Sequence, residues 1–189
     1  MTLDAPALSD AEIKDLAARL DRPVVLVGMM GVGKSTVGRK LASLLGLPFR
    51  DADDEIAEAA QMSIPEIFDQ FGEDYFRDGE RRVIARLLDG GPAVVATGGG
   101  AFVQDETRKL ILERGVAVWL DADVETLVER VGRKDSRPLL RGGDPREIVT
   151  RLKAERAPCY AEAPIHVASA GGPHGGTVMR ILQELAKWR

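Results

Sequence analysis

The sequence predicts an α/β fold with a mostly parallel sheet. Short runs of apolar residues alternate with longer amphipathic segments along most of the chain. The first run, Val24–Val27, has no polar alternation, which is typical of a strand buried on both faces. A glycine-rich segment follows it and leads into a helical pattern. Strands joined through helices run parallel, so this order favours an α/β sheet.

Each element is predicted from its own local pattern. Ser9 and Glu12 have the spacing of a capping box, which opens a helix with apolar positions on one face at 13, 16, 17 and 20. Further helices are predicted over 34–45, near 106–113 and over 178–188, with two or three between 54 and 88. Strands are predicted over 48–51, 93–96, 116–120 and 165–168. The irregular segments are 132–144, a lid candidate, and 170–176.

Composition restricts the class of protein. The chain has 189 residues, with 44% hydrophobic and 30% charged residues, which suits one compact domain. The net charge of -4 argues against nucleic acid as a partner. Because local charge decides the binding of small anions, a cluster of arginines remains compatible with a phosphorylated ligand.

Cysteine usage and hydropathy indicate the compartment. Cys159 is the single cysteine, so no intrachain disulfide can form, which fits a reducing compartment. The first twenty residues resemble neither a signal peptide nor an anchor, and no stretch reaches the roughly 18 apolar residues of a membrane span. We therefore expect a cytoplasmic protein that does not contact membranes.

The segment 28–35 carries the strongest motif. It reads Gly-x-x-x-x-Gly-Lys-Ser and lies between a predicted buried strand and the start of a helix. In such a phosphate-binding loop (P-loop) the main-chain N–H groups point at phosphate oxygens. Lys34 neutralises the β and γ phosphates, and the Ser35 hydroxyl coordinates Mg²⁺. The motif predicts nucleotide binding.

Two carboxylates follow the second predicted strand. Asp51 and Asp53 are two residues apart, so both can face the crevice at the carboxyl edge of the sheet, where ligands bind. One carboxylate there can hold Mg²⁺ through water, and another can accept a hydrogen bond from a hydroxyl being phosphorylated. Alternatively these acids, with Asp54 and Glu55, only complement the dipole of the next helix.

An arginine and a glutamate lie three residues apart in a helical segment. Glu80 can fix the guanidinium of Arg77 in a position suited to a planar carboxylate ligand. From spacing alone, an exposed ion pair of small energetic weight is the favoured interpretation.

The other candidate residues follow a strand or lie in loops and helix ends. Gly98–100 come directly after a predicted strand, which favours close approach of the backbone to a ligand over an ordinary turn. Arg137 lies in the lid candidate, where it can close over phosphates. Arg156 ends a basic helix and is a second anchor for an anionic substrate. Trp119 is expected to be a core side chain.

In this order and at these separations, the motifs resemble the shikimate kinase family. They are 28–35, Asp51 with Asp53, 76–80, 98–100, 137–140 and 156–160. The resemblance implies a three-layer P-loop fold like that of nucleoside monophosphate kinases, with a five-stranded parallel sheet of order 2-3-1-4-5. It also implies a single kinase domain over 23–189, with a lid at about 132–144, after an N-terminal helical extension over 1–22.

The resemblance further implies transfer of the γ-phosphate of ATP to the 3-hydroxyl of shikimate, in chorismate and aromatic amino-acid biosynthesis. By the same resemblance, Asp53 contacts the shikimate hydroxyls as aligner or base, and Arg77 and Arg156 bind its carboxylate. Catalysis would rest on Lys34, Asp53 and Arg137. The remaining implied contacts are Gly31, Val32, Gly33, Lys34, Ser35, Thr36 and Arg137 with ATP, Arg133 with adenine, Ser35 and Asp51 with Mg²⁺, and Gly98, Gly99 and Gly100 with the ring.

Two other functions remain open at this point. A kinase of another sugar acid, such as gluconate, would share the loop and the fold. A regulatory module that binds ATP without turnover could dispense with the substrate arginines and the lid arginine. The two arginines and the three glycines favour shikimate as the substrate. A monomer is the default expectation for the oligomeric state.

Overall fold

The computed structural model describes residues 7–132, 143–169 and 175–188. Five parallel strands form one sheet in the order β2-β3-β1-β4-β5, which confirms the expected topology. The strands are β1 (Val24–Val27), β2 (Phe49–Asp51), β3 (Val94–Ala96), β4 (Val116–Asp121) and β5 (Ile165–Ala168).

The helices lie between these strands and at both ends. They are α1 (Asp10–Arg19), α2 (Lys34–Leu45), α3 (Ala52–Ala60), α4 (Ile64–Leu88), α5 (Asp105–Arg114), α6 (Val124–Gly132), α7 (Pro145–Tyr160) and α8 (Gly175–Lys187). Helix α4 bends at Gly72, where φ is 82° and ψ is 177°. The region 54–88 therefore holds the rest of α3 and a kinked α4.

The central strands form the middle of the core. All four residues of β1 are fully buried, as their continuous apolar run predicts. Strand β5 lies at the edge of the sheet and is buried on one face only, so His166 is exposed while Ile165 and Val167 are buried. The last strand is therefore less enclosed than β1.

Helix α1 belongs to the same core as the sheet. The predicted capping box is present: Ser9 N donates to Glu12 Oε2 at 2.8 Å, and Glu12 N donates to Ser9 Oγ at 3.4 Å. Its apolar face, with Ile13 and Leu16, packs against α2 and α8. Helix α1 is thus a packed part of the fold.

The strand order decides where the predicted site residues meet. Because all strands are parallel, their carboxyl ends lie at one edge of the sheet. At this edge β3 lies between β2 and β1, so Asp51, the segment 97–100 and the P-loop are neighbours. Among the described residues, no helix is both long enough and apolar enough to cross a lipid bilayer.

Candidate active site

The P-loop connects β1 to α2 and wraps around the start of that helix. Gly31 and Gly33 have φ values of +80° and +100°, in the left-handed region that favours glycine, so the chain can curl here. Lys34 is buried, and its Nζ donates to the carbonyl oxygens of Gly28 at 2.6 Å and Met29 at 3.0 Å. The ammonium group is thereby held against the loop.

Ser35 and Asp51 meet across the site. Ser35 Oγ donates to Asp51 Oδ2 at 2.5 Å, and Asp51 Oδ1 accepts a bond from Asp53 N at 3.1 Å as the N-cap of α3. Asp51 therefore does cap a helix, but it also contacts the first turn of α2. A hydroxyl beside a carboxylate is a pair of hard oxygen ligands, which fits Mg²⁺.

Asp53 lies where several charges converge. Burial raises the pKa of its carboxyl group above the ordinary value, and the neighbouring carboxylate of Asp51 raises it further. The positive charges of Lys34 and Arg77 act in the opposite direction. Asp53 is therefore within electrostatic reach of both the P-loop and α4, and its raised pKa suits a proton acceptor.

The pair formed by Arg77 and Glu80 is not an ordinary surface ion pair. Arg77 Nη1 donates to Glu80 Oε2 at 2.7 Å, and the Arg77 side chain is only 17% exposed. Glu80 is fully buried, and burial raises its pKa. The interpretation favoured from spacing was wrong because α4 packs with Glu80 beneath Gly98, which buries the carboxylate. Within the described ranges, Glu80 Oε1 has no hydrogen-bond partner.

Each of the three glycines after β3 is opposed by a different group. A Cβ atom on Gly98 would lie 3.0 Å from Asp53 Oδ1 and from Glu80 Oε1, and one on Gly100 would lie 2.5 Å from Arg77 Nη2. On Gly99 it would lie 3.1 Å from the backbone nitrogen of Met30. The run of glycines thus lets functional side chains and the P-loop approach one backbone segment, which an ordinary turn does not require.

Arg156 reaches the same segment from α7. Its Nη1 donates to the carbonyl oxygen of Gly99 at 3.2 Å, and the Tyr160 hydroxyl donates to that oxygen at 2.5 Å. Arg77 contacts Gly100, the adjacent residue. The two predicted carboxylate anchors therefore come together, although they are 79 positions apart in the chain.

Two residues of this region have no role predicted from the sequence, although Tyr160 ends the motif 156–160. Tyr160 holds Gly99, and Arg130 on α6 donates from Nη1 to the carbonyl oxygen of Val32 in the P-loop at 3.0 Å. Both contacts join residues more than 60 positions apart, so local pattern cannot reveal them. Arg133 and Arg137 lie outside the described residues, as does most of the lid segment 132–144. Their roles stay predictions.

Comparison with known proteins decides the family. A sequence model of the shikimate kinase family matches residues 30–186. The chain belongs to the shikimate kinase family. A shikimate kinase from Novosphingobium aromaticivorans is 64% identical over 192 residues, which cover 100% of both chains. That alignment includes the N-terminal segment 1–22, which lies before the start of the family model.

Other members support the same family. A shikimate kinase from Caulobacter vibrioides is 61% identical over 171 residues, covering 90% of this chain and 86% of the relative. The structure of the Acinetobacter baumannii shikimate kinase in complex with shikimate superposes with a TM-score of 0.86 at 36% identity. It covers 95% of this chain and 98% of that one. The predicted shikimate kinase family and its P-loop kinase fold are confirmed.

Proposed function

We propose that the protein transfers the γ-phosphate of ATP to the 3-hydroxyl of shikimate, giving shikimate 3-phosphate and ADP for chorismate and aromatic amino-acid biosynthesis. Membership of the shikimate kinase family supports this reaction. The observation that carries it is the segment Gly98–100, which brings the P-loop and two arginines to one short stretch of backbone. A nucleotide site and a carboxylate site are thus adjacent.

The donor half of the site consists of the P-loop and α2. Phosphate oxygens of ATP are bound by the backbone N–H groups of the loop and by Lys34, while Ser35 and Asp51 hold Mg²⁺. When bound there, Mg²⁺ would neutralise negative charge on the phosphates. Within the described residues no three His, Cys, Asp or Glu side chains cluster as metal ligands. Mg²⁺ in such sites usually keeps several waters and binds substrate phosphates, so we propose phosphate and water as its other ligands. The full set of proposed ATP contacts is Gly31, Val32, Gly33, Lys34, Ser35, Thr36, Arg133 and Arg137.

The acceptor half binds shikimate from the opposite side. Arg77, fixed by Glu80, and Arg156 bind the carboxylate, since guanidinium groups match that planar anion with paired hydrogen bonds. Asp53 orients the 3-hydroxyl and accepts its proton as the phosphoryl group is transferred. Gly98, Gly99 and Gly100 allow the ring to approach the backbone. Phosphoryl transfer depends mainly on this positioning and charge stabilisation.

A coupled assay for ADP release tests the proposed function against its two rivals. We expect Mg²⁺-dependent ADP release with shikimate, and kcat/KM for shikimate above the values for gluconate and quinate. A higher kcat/KM for gluconate would identify a gluconate kinase. ATP binding without release of ADP with any of the three acceptors would identify a regulatory module.

The organisation of the chain is part of the proposal. Residues 23–189 form one kinase domain, with a lid at about 132–144, after the N-terminal helical extension 1–22. We propose that it acts in the cytoplasm, which the single cysteine supports, and that it is a monomer. Sedimentation equilibrium with and without ATP tests the oligomeric state.

Exchanging Glu80 for glutamine is expected to weaken shikimate binding. Glu80→Gln keeps the shape of the side chain but removes the charge that fixes Arg77 at 2.7 Å. A hydrogen bond between charged groups contributes about 1.5–3 kcal/mol, so we expect KM for shikimate to rise by roughly tenfold or more. KM for ATP should change little, because Glu80 does not contact the P-loop.

Glu73→Gln is the matched control. Glu73 also contacts Arg77, at 3.3 Å from Nε, but it is exposed to solvent. Exposed ion pairs contribute at most about 1 kcal/mol, so its KM for shikimate should stay within a few-fold of wild type. Steady-state kinetics with both substrates measures this difference, and equal effects of the two variants would contradict the role given to Glu80.

A further inference from the structure

The hydroxyl group of Tyr160 is hydrogen-bonded within the site and lies beside Arg156. It donates to the carbonyl oxygen of Gly99 at 2.5 Å, from the last turn of α7. Gly99 lies between this helix and the P-loop, where a Cβ atom would come within 3.1 Å of Met30 N. Tyr160 therefore binds α7 to a glycine that lies against the P-loop.

The ring of Tyr160 is held by its surroundings. The residue is 1% exposed, and its ring stacks on Trp119 with centroids 5.9 Å apart. Trp119 in turn stacks on His166 of the edge strand, at 4.0 Å and an interplanar angle of 8°. Burial raises the pKa of the Tyr160 hydroxyl to about 12, so it is a protonated donor at neutral pH. The hydroxyl is thus a rigid and permanent donor.

Arg156 donates to the same oxygen but differs from Tyr160 in mobility. Its Nη1 lies 3.2 Å from the Gly99 carbonyl, at the end of a longer and partly exposed side chain. The Gly99 carbonyl is partly buried, and a backbone oxygen in such a place is less stable when it loses a protein donor. With Tyr160 present, the Gly99 oxygen keeps a donor when Arg156 turns away.

We propose that Tyr160 is a positioning residue, which holds the Gly99 carbonyl so that Arg156 is available to bind the carboxylate of the substrate. This inference rests on the proposed function, in which Arg156 is a carboxylate anchor. Without the tyrosine hydroxyl, Arg156 becomes the remaining side-chain donor to Gly99 among the described residues, and its use as an anchor then takes that donor away from the Gly99 oxygen. Tyr160 would affect shikimate binding through Arg156 and would not contact the substrate.

A double-mutant cycle with Tyr160→Phe and Arg156→Ala tests this coupling. Shikimate affinity is measured by titration calorimetry in the presence of a non-hydrolysable ATP analogue, and kcat and both KM values by coupled assay. We expect Tyr160→Phe to raise Kd and KM for shikimate about tenfold, with kcat and KM for ATP within about twofold of wild type. In the Arg156→Ala background, we expect Tyr160→Phe to change Kd by less than twofold.

Tyr75→Phe is the matched control, because it removes a hydroxyl from an exposed tyrosine on α4. Tyr75→Phe should leave Kd for shikimate, kcat and both KM values unchanged. Thermal unfolding of all variants shows whether each is folded. The inference is overturned if Tyr160→Phe leaves Kd for shikimate unchanged, raises KM for ATP equally, or acts as strongly without Arg156 as with it. By contrast, a wild-type protein without shikimate-dependent ADP release would overturn the proposed function itself.

Discussion

Replacing Asp53 with asparagine is expected to lower kcat with shikimate by about 10²- to 10⁴-fold, the usual contribution of a group that accepts a proton. Asparagine keeps the size of the side chain and some of its hydrogen bonds, but it cannot accept the proton of the 3-hydroxyl. Affinity for ATP should stay within about twofold, because the P-loop is unchanged. Asp54→Asn is the control, since this neighbouring carboxylate is exposed. Near-normal turnover of Asp53→Asn would contradict the assignment.

The same substitution is expected to stabilise the protein at neutral pH. Burial raises the pKa of Asp53, so the folded state favours the protonated form and carries a cost once the group is ionised. That cost is absent below the pKa of the unfolded chain and appears as pH rises through the raised pKa of the folded state. Asparagine is never ionised, so the folded variant does not carry this free-energy cost. Urea unfolding of both proteins between pH 4 and 8 should show a difference that grows with pH.

The pH dependence of activity follows from the same pKa. Asp53 must be ionised to accept a proton, so kcat/KM for shikimate should decline on the acid side at a pH above the pKa of an ordinary aspartate. Lys34 and Arg77 limit this displacement, because their positive charges favour the ionised form. An acid limb at or below the ordinary aspartate pKa would show that another group controls the profile.

The fold was predictable because its determinants are local. Continuous apolar runs identify the buried strands, and Ser9 with Glu12 marks the start of α1 at the observed residue. The P-loop was equally predictable, since its glycines, lysine and serine lie at fixed spacing within eight residues and together bind phosphate. The start of α2 at Lys34 follows from the same motif.

The environment of the site residues could not be predicted in the same way. The spacing of Arg77 and Glu80 is the same for an exposed pair and for a buried one, and only the packing of α4 beneath Gly98 makes Glu80 buried. Likewise, the Tyr160 bond to Gly99 depends on where α7 ends relative to β3. Sequence therefore locates the candidate residues, whereas tertiary packing sets their charge states and partners.

Replacing Lys34 with methionine is expected to lower kcat/KM for ATP by about 10³-fold or more, the range seen when a cation that stabilises transferring phosphate is removed. Methionine has nearly the length of lysine and no charge. Removing the ammonium group would take a positive charge away from the transferring phosphate. It would also remove the hydrogen bonds that the carbonyl oxygens of Gly28 and Met29 in the P-loop accept from Lys34.

Lys34→Met should also alter the acceptor half of the site. The charge of Lys34 lowers the pKa of Asp53, so its removal should raise that pKa further. As the pH is lowered, shikimate affinity should therefore begin to fall at a higher pH than in wild type. Calorimetric titration of shikimate as a function of pH measures this effect even where turnover is too slow to follow.

Lys40→Met, on the exposed side of α2, is the matched control and should behave as wild type. Turnover of Lys34→Met within tenfold of wild type would show that the P-loop does not hold the transferring phosphate. If the pH dependence of shikimate affinity is unchanged, the charge of Lys34 does not affect the pKa of Asp53. The donor and acceptor halves of the site would then be electrostatically independent.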